Sequence, residues 1–343
     1  VRRFLLWFVL PGIALGLCAG GVALWYWQDM QSSLDRRIFL HESSELFSIE
    51  RGSTLASLAR RMETAGWIKS ATYLRLEARR LEIGGAIKAG LYEIRDGETP
   101  RKLLEKFVRG DVKTFRITFI EGATFHDMLT TLAGDPNVVH TLAGSDFAGI
   151  VAQTAPGIEH PEGWYFPSTY LFSHGDTDTD ILRRAHERMV SILDAEWESR
   201  APDLPYDDAR DALIMASIIE KETGRADERA EIAGVFARRL RRGMKLQTDP
   251  TVIYGLGESF DGNLRRVDLR TDTPYNTYTR FGLPPGPIAL PGEASIHAAL
   301  NPAAGDSLYF VGRGDGSHQF SKSLTEHNAA VRRYQLSGAG RGQ

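Results

Sequence analysis

The sequence predicts an α+β protein in three parts: a single apolar N-terminal helix, a small β-α-α-β unit, and a larger mixed α+β domain. Three observations predict it. The chain is uncharged from Phe4 to Trp27. A pattern of short β-prone run, glycine, threonine and amphipathic helix then occurs three times. After Gly163 the texture changes, and long helical stretches alternate with loops rich in Gly, Pro and Tyr. With 343 residues, 42% of them hydrophobic, there is material for a real core and, at roughly 150 residues per domain, about two globular domains.

The N-terminal run FLLWFVLPGIALGLCAGGVALWYW is long enough to cross the hydrocarbon core of a bilayer. Arg2 and Arg3 precede it, and Trp25, Tyr26 and Trp27 close it. The basic flank therefore predicts a cytoplasmic N-terminus, with everything after Gln28 on the outer side. A cleaved signal peptide is the rival reading, but bulky aromatics stand where a small-x-small site would be expected. The only cysteine, Cys18, lies inside this run, and Leu17 before it is too large for a lipoprotein cleavage site. No disulfide within the chain, thiol nucleophile or Cys-ligated zinc is then available to the rest of it. There is no HExxH or comparable histidine cluster, so neither a metal nor a cofactor is expected. The formal net charge is −3, and the chain beyond the two leading arginines is more acidic still. Nucleic acid is excluded as a partner, because neutralising phosphates needs a basic surface.

The repeated pattern is carried by FSIERGSTLASLARRM from Phe47, YEIRDGETPRKLLEKF from Tyr92 and ITFIEGATFHDMLTTL from Ile117. In each, a glycine (Gly52, Gly97, Gly122) suits a turn with positive φ, and Thr54, Thr99 or Thr124 is placed to cap a helix. Between the first two copies lie a second helix and a return strand, giving a β-α-α-β unit across Leu46–Ile94. That arrangement, opened by RGSTLASLARR, resembles a LysM-like module, a fold with which bacteria hold the glycan strands of peptidoglycan.

Farther on, helices are expected over Asp180–Arg200, Asp208–Thr223 and Glu228–Arg242. The last buries Ile232, Val235, Phe236 and Leu240 and gathers Arg238, Arg239, Arg241 and Arg242 near its C-terminus, where the helix dipole favours cations. The aromatic loop YNTYTRFGLPPGPIALPG, Tyr275 to Gly292, has the length and composition of a site-lining segment.

Three glutamates fall in MASIIEKETGRADER, Met215 to Arg229. At 100° per residue Glu220 shares a face with Leu213, Ala216 and Ser217, while Glu222 points about 200° away. Glu220 thus lies beside the buried face and near the negative end of the helix dipole, a setting for a proton-donating carboxyl. The alternative is a structural ion pair with Arg229 or Arg225. Glu222 and Glu228 read as solvated helix charges. In KLQTDPTVIYGLG, Gln247, Thr248 and Asp249 are held in a loop by Pro250.

The stretch ASIIEKETGRADERAEIAGVFARRLRRGMKLQTDPTVIYGLG resembles the core of the YceG-like (MltG) family, membrane-anchored endolytic lytic transglycosylases of bacterial peptidoglycan. The likeness extends to PEGWYFPSTYLF, TPYNTYTRFGLPPGPIALPGEASIHAALNP and LYFVGRGDGSHQFSKSLTEHN. The resemblance implies that Glu220, the first glutamate of EKET, is the acid and base. It further implies that Gln247, Thr248, Asp249, Tyr254, Tyr275, Asn276 and Tyr278 position the sugars. Such an enzyme cleaves between N-acetylmuramic acid and N-acetylglucosamine without water, closing the sugar's own 6-hydroxyl into a 1,6-anhydro end. A hydrolase would usually need a second carboxylate, for which Asp249 is the candidate.

A GDSL string, Gly305–Leu308, with His318 beyond it, suggests a serine esterase. The β-prone LYFV follows Ser307, however, where the nucleophile elbow would need it to precede. His318 and His327 read as satisfied structural histidines.

The expected organisation is a cytoplasmic stub and anchor over 1–28, a linker over 29–45, a LysM-like glycan-binding part over 46–112, a catalytic domain over 113–337 and a disordered tail over 338–343. The expected place is the bacterial inner membrane, facing the periplasm. Peptidoglycan strands are the expected substrate, and peptidoglycan synthases the expected neighbours. A non-enzymatic glycan-binding scaffold is the alternative, and a muramidase-type hydrolase a third.

Overall fold

The computed structural model describes residues 2–336, with side chains from residue 12 onward. The expected disordered tail therefore lies outside the described residues. The chain divides into two units, residues 1–115 with 173–175, and residues 116–172 with 176–343.

The first unit contains α1 (Arg2–Leu34), β1 (Ser44–Ile49), α2 (Leu55–Thr64), α3 (Ala71–Arg80), β2 (Gly90–Arg95) and α4 (Pro100–Arg109). Strands β1 and β2 pair antiparallel, with Phe47 opposite Tyr92. Gly52 and Gly97 turn the chain at φ 83° and 80°, and the hydroxyls of Thr54 and Thr99 accept the N–H groups of Ser57 and Lys102 to start α2 and α4. Their apolar faces then close on the sheet: Leu58, Met62, Leu74, Tyr92, Ile94, Leu103 and Phe107 are buried together. The end of α1 joins this core through Met30 and Leu34, and Asp29 accepts hydrogen bonds from Lys69 Nζ at 2.7 Å and Tyr73 Oη at 2.6 Å.

From Gly12 to Gln28 the side chains of α1 are exposed. Among the described residues no helix is long and apolar enough to cross a membrane. The first part of the expected anchor, residues 4–11, lies outside the described side chains.

The second unit takes up the chain within β3 (Thr114–Thr118). It continues through α5 (Phe125–Gly134), α6 (Phe147–Thr154), β4 (Thr169–Ser173), α7 (Asp178–Glu198), α8 (Ala209–Glu222), α9 (Arg229–Arg241) and α10 (Asp249–Leu256). Then come α11 (Glu293–Leu300), β5 (Tyr309–Gly312), β6 (His318–Ser321) and α12 (Leu324–Val331), which runs on into a further helical turn at Arg332–Leu336. The third copy of the turn is present: Gly122 has φ 77°, and Thr124 and Asp127 form a reciprocal capping box at the start of α5. The strands form small sheets, β3 with β4 and β5 with β6, the latter antiparallel.

Helix α8 is the axis of this unit. Asp208 caps its start by accepting the N–H of Asp211, and every residue from Ala212 to Ile219 is buried. A run apolar on all sides has no solvent face, so α8 is enclosed by Met189 and Leu193 of α7, Ile232 and Phe236 of α9, and Ile296 and Leu300 of α11. The aromatic loop is pinned to it: Ser217 Oγ donates to the carbonyl of Ile214 and accepts the N–H of Ile288 at 3.0 Å. Gly163, at φ 82°, lets the chain pass this loop, since a Cβ there would stand 2.5 Å from Pro287.

Candidate active site

The last turn of α8 sends its two glutamates to different places. Glu220 keeps 7% of its side chain exposed; its Oε2 accepts the N–H of Gly292 at 3.0 Å, and its Oε1 lies 3.7 Å from Arg229 Nη2. The ion pair weighed from the sequence is formed, with Arg229; Arg225 instead pairs with Asp227 and Glu228. Glu220 thereby clamps the end of the aromatic loop to α8 and α9.

Glu222, read as a solvated helix charge, is not one. Its carboxylate accepts a hydrogen bond from the hydroxyl of Thr248, whose own N–H is held by Thr277 Oγ1 at 3.1 Å. Burial pushes its pKa up to about 7, with Asp249 adding to the rise, while the Thr248 hydrogen bond, His318 and Arg239 oppose it. Glu222 opens on a cavity of about 500 Å³ whose wall includes Gln247, Thr248, Asp249, Tyr278 and His318. Glu228 also departs from its expected solvation: its side chain is 12% exposed and accepts His318 Nδ1 at 2.7 Å.

The wall is built by local features of the QTDP loop. Arg239, buried on α9, donates to the carbonyls of Leu246 and Leu308, which fixes where the loop leaves that helix. Gln247 has φ 53°, a left-handed conformation unusual for a side-chain-bearing residue, and its N–H donates to Thr277 O. Asp249 opens α10 and accepts Tyr278 Oη at 2.6 Å, so the two close the rim together. Burial, first, and Asp249, next, raise the Tyr278 phenol above its ordinary pKa, which keeps it a donor.

Four of the seven sugar-positioning residues implied by resemblance therefore gather at Glu222: Gln247, Thr248, Asp249 and Tyr278. Asn276 does not serve as implied. It is fully buried, its Nδ2 donates to the carbonyls of Asp268 and Thr271, and its Oδ1 accepts the N–H of Tyr278. With its amide satisfied by its own loop, it shapes that loop and has nothing to offer a sugar. Tyr254 and Tyr275 stand outside this wall; their rings pack 4.9 Å apart, and Tyr254 Oη donates to Glu162 at 3.2 Å.

Glu162 carried no role in the sequence reading although PEGWYFPSTYLF contains it. It is 4% exposed, accepts the N–H of Phe125 at 3.0 Å, and is pushed up to about 7 by burial. The available signal was a lone carboxylate inside an aromatic run, which must be either partnered or neutral. Of the two histidines read as satisfied, His318 is held by Glu228. His327 stacks on Tyr309 at 5.2 Å, and its Nδ1 is buried without a hydrogen-bond partner among the described residues. Ser307 lies two residues before β5, and its carbonyl accepts Arg238 Nε. Among the described residues no group of three or more His, Cys, Asp or Glu side chains is placed to hold a metal ion.

The model of the YceG-like family matches residues 47–333, a span that includes Glu222, Thr248 and His318 and all but the first residues of the β-α-α-β unit. The chain belongs to the YceG-like family. This YceG-like chain is 33% identical over 304 residues to an endolytic murein transglycosylase of Bacillus subtilis, covering 84% of either protein. It is 29% identical over 178 residues to one of Streptococcus pneumoniae, a match over 50% of this chain and 31% of that protein. A crystal structure of a YceG-like protein from Listeria monocytogenes superposes with a TM-score of 0.52 at 30% identity, over 83% of this chain and 98% of that one.

Proposed function

We propose that this YceG-like chain is an endolytic murein transglycosylase and that Glu222 is its acid. The observation that carries the assignment is the Glu222 carboxyl itself, held near pH 7 in its proton affinity at the wall of a polar cavity. Cleaving a glycosidic bond requires a carboxyl still protonated near neutral pH, able to give its proton to the departing oxygen. Glu220, the residue implied by resemblance, is engaged on both oxygens in a clamp between elements. The substrate is a peptidoglycan strand cut between N-acetylmuramic acid and N-acetylglucosamine within its length, which limits strand length. The 6-hydroxyl of the muramyl sugar closes on C1 and gives up its proton inside the cavity.

The β-α-α-β order of the first unit, with β1 and β2 antiparallel, supports reading it as a LysM-like glycan-holding part. The uncharged run Phe4–Trp27 supports a single-pass anchor in the bacterial inner membrane, with the rest facing the periplasm beside peptidoglycan synthases. A second reading is favoured by Asp249, a carboxylate in the same wall as Glu222. If it activated water, the enzyme would be a hydrolase.

Product ends decide. The full chain, in detergent, is incubated with isolated peptidoglycan strands, and the fragments are read by mass spectrometry beside Glu222→Gln and Glu220→Gln. The expected result is anhydro-muramyl ends, about 10²-fold or more fewer with Glu222→Gln, and cleavage retained by folded Glu220→Gln. Reducing ends would make it a hydrolase. An inactive, folded Glu220→Gln beside an active Glu222→Gln would return the acid role to Glu220. Strand binding without cleavage by the wild type would favour the scaffold.

A further inference from the structure

We propose that His318, oriented by Glu228, is the base that takes the proton from the sugar's 6-hydroxyl. The proposal rests on Glu222 being the acid. Glu228 holds the imidazole at two points: Oε2 accepts Nδ1 at 2.7 Å, and Oε1 accepts the main-chain N–H of His318 at 3.1 Å. A carboxylate on Nδ1 makes that nitrogen the donor and leaves the lone pair of the neutral ring on Nε2. Nε2 has no hydrogen-bond partner among the described residues.

The ring has little freedom to do otherwise. His318 and Glu228 side chains are 14% and 12% exposed, and the Phe310 ring stands perpendicular to the imidazole, 5.4 Å between centres and 89° between planes. His318 opens β6, Glu228 caps α9, and the loop from Thr223 to Glu228 ties this pair to Glu222 at the end of α8. All of this brings a carboxylate-supported histidine into the wall of the cavity that Glu222 enters. The other titratable or charged groups of that wall are Arg239, Asp249, Tyr278, Tyr309 and His327; Arg225 approaches Glu228 from its own loop at 3.6 Å.

The chemistry balances without a co-reactant. The C1–O4 bond breaks as the Glu222 carboxyl delivers its proton to O4. The C1–O6 bond forms as O6 loses its proton to His318 Nε2. Glu222 is left ionised and His318 doubly protonated, and one proton passed back through cavity water restores both. Division of labour between two groups removes the need for one carboxyl to serve both oxygens in turn.

The test uses the full chain in detergent and isolated peptidoglycan strands, with release of anhydro ends as the rate. His318→Ala is expected to lower kcat about 10²-fold with KM changed less than about threefold, and added imidazole to restore part of the loss. Glu228→Gln is expected to lower kcat about tenfold with KM changed less than about threefold, because the imidazole loses the carboxylate that orients it, and Glu228→Asp to restore part of the loss. A His318→Ala enzyme with kcat within about threefold of wild type overturns the proposal, as does a Glu228→Gln enzyme with kcat unchanged. If His318→Ala does not fold, the kcat of Glu228→Gln decides. Glu222→Gln, measured alongside, separates the two claims: an active Glu222→Gln removes the acid assignment and the proposal with it. An inactive Glu222→Gln with a Glu228→Gln kcat equal to wild type removes the proposal alone.

Discussion

Two glutamates separated by one lysine end α8 with different surroundings, and the difference is made by what each side chain meets. Glu220 meets a main-chain N–H and a guanidinium. Glu222 meets one hydroxyl and is buried deeply enough that desolvation outweighs the nearby Arg239 and His318. Periodicity told correctly that they diverge, but it cannot report the wall opposite, because Thr248 and His318 are remote in sequence. The same remoteness hid Glu162, whose partners Phe125 and Tyr254 lie 37 and 92 residues away. Glu162 has a testable consequence. Its folded pKa of about 7 stands above the ordinary value of 4.5, so the folded state holds a proton that the unfolded state has released between those values. Stability from this group is therefore present below about pH 4.5 and falls as pH rises through about 7, by on the order of 3 kcal/mol. Thermal unfolding at pH 5 and pH 8 should show a smaller drop for Glu162→Gln than for wild type. Equal drops would mean that Glu162 does not titrate in this range.

At the scale of elements, the three strand–glycine–threonine–helix turns were legible because everything they require is local. A positive φ is open to glycine at little cost, and a threonine hydroxyl reaches the N–H three residues on. Helices α7, α8 and α9 came within about two residues of their expected ends for the same reason. The role of α8 was less legible. Its apolar run could be a core helix or a two-sided one, and only the packing of α7, α9 and α11 around it shows enclosure on every side. Ile218, fully buried on α8, is a suitable probe. Ile218→Ala should cost about 2–5 kcal/mol, a transfer loss plus a cavity the packed neighbours cannot fill. Chemical denaturation measures it directly, and a cost under about 1 kcal/mol would mean that α8 can collapse onto its neighbours.

At the scale of the whole molecule, patterning points to a chain in more than one part. The anchor reading has its own test: full-length chain should remain with the membrane fraction after alkaline carbonate washing and leave only with detergent. Release by carbonate would remove the single-pass reading and leave the cleavage chemistry untouched. The sequence by itself determined the turns, the caps, the amphipathic faces and, through long ordered motifs, the family, since these depend on residues close along the chain. Only the tertiary structure decided which carboxyl is desolvated, that Asn276 is consumed by its own loop, and that Glu228 grips His318. The Glu222 and Glu228 contacts join side chains 26 and 90 residues apart, the Asn276 contacts depend on how its own loop folds, and burial, which sets proton affinity, exists only once the chain has folded.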